Sequence, residues 1–97
     1  MKTDELTGLA LDWAVAMCEG VKIIVAQENW DWYSSSWEEG GPIIEREEMS
    51  VRFINGKWFA QMHDGSFKEG PTPLVAAMRC YVASKMGNEI ELPKEFV

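Results

Sequence analysis

The sequence predicts a single α+β domain over residues 1–97, a small α/β sandwich. Two main helices and one short helix are expected to pack on an antiparallel sheet of three or four strands. Residues 4–19 and 72–86 repeat apolar side chains at helical spacing, and Asn55-Gly56 is the preferred two-residue turn of a β-hairpin. The chain has 97 residues, of which 46% are hydrophobic and 26% charged, as in one small globular domain.

The first predicted helix covers residues 4–19. Thr3 is expected to cap its N-terminus and Gly20 to end it. The residues expected to face the core share a spacing of three or four: Leu6, Leu9, Ala10, Trp13, Ala14 and Met17. The β-branched run that follows predicts a strand over residues 22–26.

Residues 28–39 read ENWDWYSSSWEE and follow neither a helical nor a strand period, so they are predicted to form a loop. A short helix is predicted over residues 42–48, because Pro42 suits a first helical turn and glutamates follow it. Gly40-Gly41 allows a sharp entry into this helix, and Ser36 is expected to cap a brief turn before it.

The sheet is predicted at residues 50–55, 57–63 and 66–69. Setting Ile54 opposite Lys57 creates one entirely apolar face, which consists of Met49, Val51, Phe53, Trp58, Ala60 and Met62. Phe53 and Trp58 are expected to be a cross-strand pair in the core. Asp64-Gly65 is predicted to be a second tight turn, which places Phe67 opposite Met62.

The last predicted helix covers residues 72–86, with Thr72 as its cap, Pro73 at its first position and Gly87 after its end. It carries a stripe of large apolar residues (Leu74, Met78, Tyr81 and Val82) and a stripe of small ones (Ala76, Cys80 and Ala83). A helix with two apolar stripes packs between two neighbours, here the sheet and the first helix. Ile90 and Leu92 of the tail are expected to pack along the edge.

The net charge of −7 argues against nucleic acid or an anionic membrane as a direct partner, since both require basic surfaces. The chain contains no apolar run of about 20 residues and no secretory start, so a cytoplasmic location is expected. Cys18 and Cys80 are therefore expected to be free, buried thiols.

Few residues of the sequence could take part in catalysis or metal binding. His63 could form a thiol site with Cys18 and Asp64, but its place beside a turn favours a solvated imidazole. Glutamates 45, 47 and 48 could bind a hard cation, yet the loop spacing of a calcium site is missing, which favours a solvated acidic face. The sequence predicts no catalytic residue, cofactor or metal, and hence no enzyme.

The most unusual segment combines tryptophans with acids. Between residues 28 and 48 there are seven carboxylates and one arginine, a local net charge of −6. The aromatic side chains could stack on sugars or bases, cover the edge of the protein's own sheet, or anchor a protein partner. The predicted partner-binding residues are Trp30, Trp32, Tyr33, Trp37, Glu38, Glu39, Glu45 and Glu48.

Three blocks carry a resemblance to a known family. TDELTGLALDWAVAMCEG, YSSSWEEGGPIIEREEMSV and GPTPLVAAMRCYVASKMGNEIELP together resemble the NinX-like family of small tailed-phage and prophage proteins. The resemblance implies a small α/β sandwich that is expressed in the bacterial host cytoplasm. It implies no established activity, so no residue inherits a catalytic role. Trp30 and Trp32 lie before the matching pattern, which makes them candidates for a property particular to this protein.

These observations favour a non-enzymatic phage accessory protein that binds a host or phage protein through an acidic, tryptophan-bearing face. Such a face would steer towards a partner with a basic surface. A sharper form is a DNA mimic that occupies the nucleic-acid site of a restriction, CRISPR or transcription protein. The alternative is a small enzyme or ligand-binding module that uses the aromatic loop 28–39.

Overall fold

A computed structural model describes residues 1–21 and 32–93. The elements in these ranges are a 3₁₀-helix (Thr3–Glu5), α1 (Gly8–Cys18), α2 (Trp37–Arg46), β1 (Ser50–Ile54), β2 (Lys57–Gln61), β3 (Phe67–Gly70) and α3 (Pro73–Met86). The strands form an antiparallel sheet in the order β1-β2-β3. The predicted α+β class is confirmed. The strand predicted over 22–26 lies outside the described residues.

Helix α3 is the central layer of the molecule. It contacts all three strands, and it also contacts α1, α2 and the 3₁₀-helix. Its predicted boundaries are confirmed: the Thr72 hydroxyl accepts a hydrogen bond from the Val75 N–H at 3.1 Å, and Gly87 follows the last turn with φ of 90°. Both predicted stripes of α3 are buried, because the helix has neighbours on more than one side.

The N-terminal segment differs from the prediction. The chain is extended at Leu6 and Thr7, so a 3₁₀-helix and α1 replace one helix over 4–19. Thr3 does not cap a helix: its hydroxyl donates to the Gly87 carbonyl at 2.7 Å, and its N–H donates to the Asn88 carbonyl at 2.9 Å. These bonds tie the start of the chain to the end of α3.

The buried face of α1 is also rotated from the predicted one. Leu9 and Met17 are exposed, whereas the buried residues of α1 are Leu11, Asp12, Trp13, Ala14, Val15 and Ala16. The helix sequence is apolar on nearly every side, so periodicity alone does not determine which face packs.

Helix α2 begins at Trp37, five residues before the predicted start. Pro42 and the two preceding glycines lie inside the helix instead of at its entry. Ser36 is the N-cap residue, but its side chain makes no capping hydrogen bond. Proline removes one helical N–H donor, and the carbonyl that loses this donor belongs to the exposed Glu38, where water can replace it.

The predicted β1–β2 register is confirmed, since Phe53 pairs with Trp58 and Val51 with Ala60. Phe53 and Trp58 are in contact as predicted, with ring centroids 5.1 Å apart. The prediction that this pair lies in the core is wrong, because 59% of Phe53 is exposed. Phe67 pairs with Gln61 and not with Met62, because the Met62 N–H donates to the Ser66 carbonyl and leaves a turn of three residues, 63–65. This shift of one residue moves Phe67 to the sheet face that α3 does not cover.

The tail packs as predicted as far as it is described. Ile90 is buried and Leu92 is half-buried. The Met1 ammonium group donates to the Ile90 carbonyl at 2.8 Å, and the Ile90 N–H donates to the Met1 carbonyl at 2.9 Å. Within residues 1–21 and 32–93, no helix has both the length and the apolar character needed to cross a bilayer.

Candidate functional site

The predicted aromatic residues separate into two groups. Trp32 and Trp37 are on the surface, with 65% and 58% of their area exposed. Tyr33 is only 6% exposed and belongs to the hydrophobic core, so it cannot serve as a surface contact. Trp30 lies outside the described residues. Tyr33 therefore anchors the segment in the core, whereas the indoles of Trp32 and Trp37 are on the surface.

The inward anchor depends on a buried carboxylate. Asp12 of α1 is 4% exposed and accepts a hydrogen bond from the Ser34 N–H at 2.8 Å. Burial raises the pKa of Asp12, while its hydrogen bonds from Ser34 act in the opposite direction. Sequence reasoning missed Asp12, although an acid within the apolar run LALDWAVA was a signal that could have identified it.

Close backbone packing fixes the same turn against α2. The carbonyl of Trp32 accepts hydrogen bonds from the N–H groups of Ser35 and Ser36, at 3.2 and 2.9 Å. A Cβ atom at Gly40 would overlap the Tyr33 carbonyl and lie 2.7 Å from Leu74 Cδ2. The two exposed indoles therefore project from a turn that α1, α2 and α3 hold in place.

The acidic residues near α2 differ in their partners, and some of them form ion pairs. Arg46 binds Glu19 through both carboxylate oxygens, at 2.7 and 3.0 Å, and donates from Nε to Glu47 at 2.9 Å. The Tyr81 hydroxyl donates to Glu19, and Lys85 lies 3.8 Å from Glu47. The hydrogen bonds from Arg46 are the main reason that the pKa of Glu19 is lowered. Glu19 and Glu47, at the C-terminal ends of α1 and α2, are therefore paired with cations and connect these ends to α3.

Three other acids in or just after α2 make no such ion pair within the described residues. Glu38, Glu45 and Glu48 are exposed, and none makes an ion pair with another residue in the described part of the chain. Glu39 is half-buried and makes a polar contact of its own. Glu38 and Glu45 are two helical turns apart, about 10 Å along one side of α2. We define the docking face as Trp32, Trp37, Glu38, Glu45 and Glu48.

A cleft lies beside the docking face. It has a volume of about 440 Å³, and Trp37 forms one wall. The other lining residues come from the N-terminal ends of α1 and α3 and the anchored turn: Thr7, Gly8, Ser34, Ser35, Thr72, Pro73, Leu74 and Val75. Helix N-termini favour anions, but Glu38 and Glu39 occupy the first turn of α2 and oppose an anionic ligand here.

The residues with catalytic potential in the described ranges include two thiols and an exposed imidazole. Cys18 and Cys80 are free thiols, and burial raises the pKa of each to about 11, so both are protonated at neutral pH. His63 is exposed in the β2–β3 turn. Within the described ranges, no group of three or more His, Cys, Asp or Glu side chains could hold a metal ion.

Comparison with known proteins identifies a family. No curated protein matches the chain. The family model described as Bacteriophage P22, NinX matches residues 2–85 and so covers α1, the docking face, the whole sheet and nearly all of α3. The chain therefore belongs to the bacteriophage P22 NinX family of phage proteins.

Proposed function

We propose that this protein is a non-enzymatic phage accessory protein that binds a basic surface of a host or phage protein through its docking face. One observation carries the proposal: two indoles, on an anchored turn and at the start of α2, are more than half exposed beside carboxylates that make no ion pair within residues 1–21 and 32–93. A turn that served only to cover the core would bury its tryptophans. Here Tyr33 has that role, and Trp32 and Trp37 are left available.

The two residue types of the docking face would contribute differently to binding. Exposed carboxylates act over about 8 Å at physiological ionic strength, so they mainly increase the rate of encounter with a basic partner. The indoles offer large apolar area, and their ring faces attract the ammonium or guanidinium groups of that partner. Because the turn is already ordered, little conformational entropy is lost when a partner binds.

The test is differential capture from a lysate of phage-infected host cells. Immobilised wild-type protein is compared with Trp37→Ala and with a triple variant in which Glu38, Glu45 and Glu48 become Gln. The matched control removes the same number of exposed acids elsewhere, by changing Glu5, Glu89 and Glu91 to Gln. We expect a basic protein that is captured by the wild type and the control but lost with both docking-face variants.

Measurements with the purified partner then separate the two contributions. The docking-face triple variant should slow association and flatten its salt dependence, whereas Trp37→Ala should speed dissociation. Competition by duplex DNA for the same partner would support the DNA-mimic form of the proposal. Equal capture by the docking-face triple variant and the control triple variant would refute the proposed face.

A further inference from the structure

The sheet has a second surface that the proposed function does not use. The helices pack on one face only, and the outer sheet face consists of Ser50, Arg52, Ile54, Lys57, Phe59, Gln61, Phe67 and Glu69. Ile54 and Phe67 are 42% and 46% exposed, and the rings of Phe59 and Phe67 stack with centroids 5.3 Å apart. This face therefore has an apolar centre that no helix of the described ranges covers.

Two of the three charges on the outer sheet face lie symmetrically about β2, and the third, Lys57, lies on β2 itself. Arg52 of β1 pairs with Phe59 of β2, and Phe59 pairs with Glu69 of β3. One row across the sheet thus reads cation, aromatic ring, anion. Among the described residues Arg52 has no ion-pair partner, and Glu69 has only the exposed Lys57 at 3.7 Å. Arg52 is therefore unpaired within the described residues, whereas Glu69 shares its charge with an exposed lysine.

We propose that a second copy of this chain binds the outer sheet face, with a two-fold axis parallel to β2 between the two sheets. A rotation about this axis places β1 of one copy opposite β3 of the other and keeps the rows in register. Each Arg52 then faces Glu69 of the other copy, and Phe59 faces its own equivalent. Two sheets that pack face to face lie about 10 Å apart with nearly aligned strands, which this arrangement allows.

The balance of charge favours a second copy over nucleic acid. A nucleic-acid surface needs an excess of cations, whereas this face carries Arg52, Lys57 and Glu69, and the lysine is already near the glutamate. A two-fold interface instead requires a self-complementary surface, and Arg52 and Glu69 provide it because they lie at equal distances from the central strand. Lys57 faces its own equivalent in this arrangement and stays close to Glu69 of its own copy.

The size of the outer sheet face determines how tightly the dimer is expected to bind. Three strands of four or five residues, spaced about 4.8 Å apart, cover an area of roughly 14 by 17 Å. This is well below the ~800 Å² per partner of a standard stable interface. We therefore expect a weak dimer that forms reversibly as the concentration rises.

Charge reversal provides the test, by sedimentation equilibrium of the full chain from about 10 µM to about 1 mM. Arg52→Glu and Glu69→Arg, each alone, place like charges opposite one another and should weaken self-association by about tenfold or more. The double variant keeps the net charge of the wild type and restores opposite pairs, so its dissociation constant should return to within about threefold. An equimolar mixture of the two single variants should form a heterodimer.

The controls distinguish a contact at this face from a general effect of net charge or of unfolding. Glu45→Arg changes the net charge as much as Glu69→Arg does but lies on the docking face, so it should leave self-association intact. Thermal melts of each variant show that the exposed substitutions leave the fold unchanged. A wild type that stays monomeric at every concentration would overturn the proposal. So would a dimer that ignores both reversals, or binding of a single-stranded oligonucleotide that Phe59→Ala abolishes.

Discussion

Asp12 shows how one residue links the core to the candidate site. Its carboxylate is buried within α1, yet it holds the Ser34 N–H and thereby the turn from which Trp32 and Trp37 project. Burial raises its pKa above the ordinary value of 3.8 because the low-dielectric interior disfavours the charge. The folded protein therefore holds this proton more tightly than the unfolded chain does.

Substitution of Asp12 tests this account. Asp12→Ala leaves the Ser34 N–H buried without an acceptor and should cost about 1–3 kcal/mol. Asp12→Asn keeps an acceptor and removes the buried charge, so it should cost less. As pH rises from the ordinary pKa through the raised one, wild type loses stability that the Asn variant keeps. Melts of both from about pH 3 to 7 should show their difference move in favour of Asn; a difference independent of pH would contradict the account.

The neighbouring aromatic residues allow a second test of the anchored turn. Tyr33→Ala removes a core side chain and should cost about 3–5 kcal/mol, as truncations of buried aromatics do. Trp37→Ala removes an exposed indole and should change the free energy of unfolding by about 0.5 kcal/mol or less. Urea unfolding of the free protein measures both. If Trp37→Ala destabilised the fold as much as Tyr33→Ala, the indole would be structural and the docking face would lose its anchor.

At the scale of the element, prediction from sequence succeeds where the signals are local. Helix α3 has a hydroxyl cap, a proline at its first position and a glycine after its end, and all three are present in neighbouring residues. The Asn55-Gly56 turn likewise determines the β1–β2 register. The predicted start of helix α2 is five residues too late, because Gly-Gly-Pro is locally typical of a break. What keeps it helical is its contact with Tyr33 and Leu74, and that contact is not visible in the α2 segment itself.

The candidate site is predictable to a similar extent. The sequence identifies the tryptophans and the acids, but it cannot separate Glu47 from Glu45, since only Glu47 meets Arg46 and Lys85. It also places Tyr33 on the surface, because burial of that ring depends on elements far along the chain. The predicted position of Phe67 is wrong for a similar reason. One extra residue in the β2–β3 turn shifts the register and moves the Phe67 side chain to the other face of the sheet.

The two adjacent glycines of α2 give a paired test at this scale. Gly40→Ala would normally strengthen a helix by about 1 kcal/mol, but here the methyl group would overlap the Tyr33 backbone, so we expect a net loss of stability. At Gly41 the nearest atom to a new Cβ is Trp37 Cε3 at 3.8 Å, an ordinary contact. Gly41→Ala should stay within about 0.5 kcal/mol of wild type, because its position before Pro42 offsets part of the helical gain. Equal melting temperatures for the two variants would refute the close approach at Gly40.

For the whole molecule, the position of the charges is more informative than their sum. The net charge is −7, yet Glu19 and Glu47 are neutralised by Arg46 and Lys85, and the outer sheet face carries both signs. Glu38, Glu45 and Glu48 of the docking face make no ion pair within the described residues, so they keep that surface acidic. The fold thus has an acidic surface at α2 and a partly apolar surface of mixed charge on the outer sheet face.

The paired and unpaired acids should respond differently to substitution and pH. Glu19→Gln weakens the contacts with Arg46 and Tyr81 and should cost about 1–2 kcal/mol at neutral pH, whereas Glu45→Gln should cost about 0.5 kcal/mol or less. The pKa of Glu19 is lowered, so its contribution is complete above the ordinary value of 4.5 and is lost as pH falls through the lowered pKa. Melts of wild type and Glu19→Gln should therefore converge in acid. Melts that differed equally at every pH would show that the lowered pKa does not contribute.

The central position of α3 has a consequence for how the protein is made. Every other described element packs on a helix that begins at Pro73, so the ribosome synthesises the sheet and the first two helices before the layer that covers them exists. Until then, Ala60, Met62, Leu11 and Ile43 have no completed core to enter. A nascent chain of this kind cannot fold in stages from its N-terminus, and it exposes apolar surface to chaperones and proteases until translation is nearly finished. A premature stop codon anywhere before α3 should therefore yield no stable fragment.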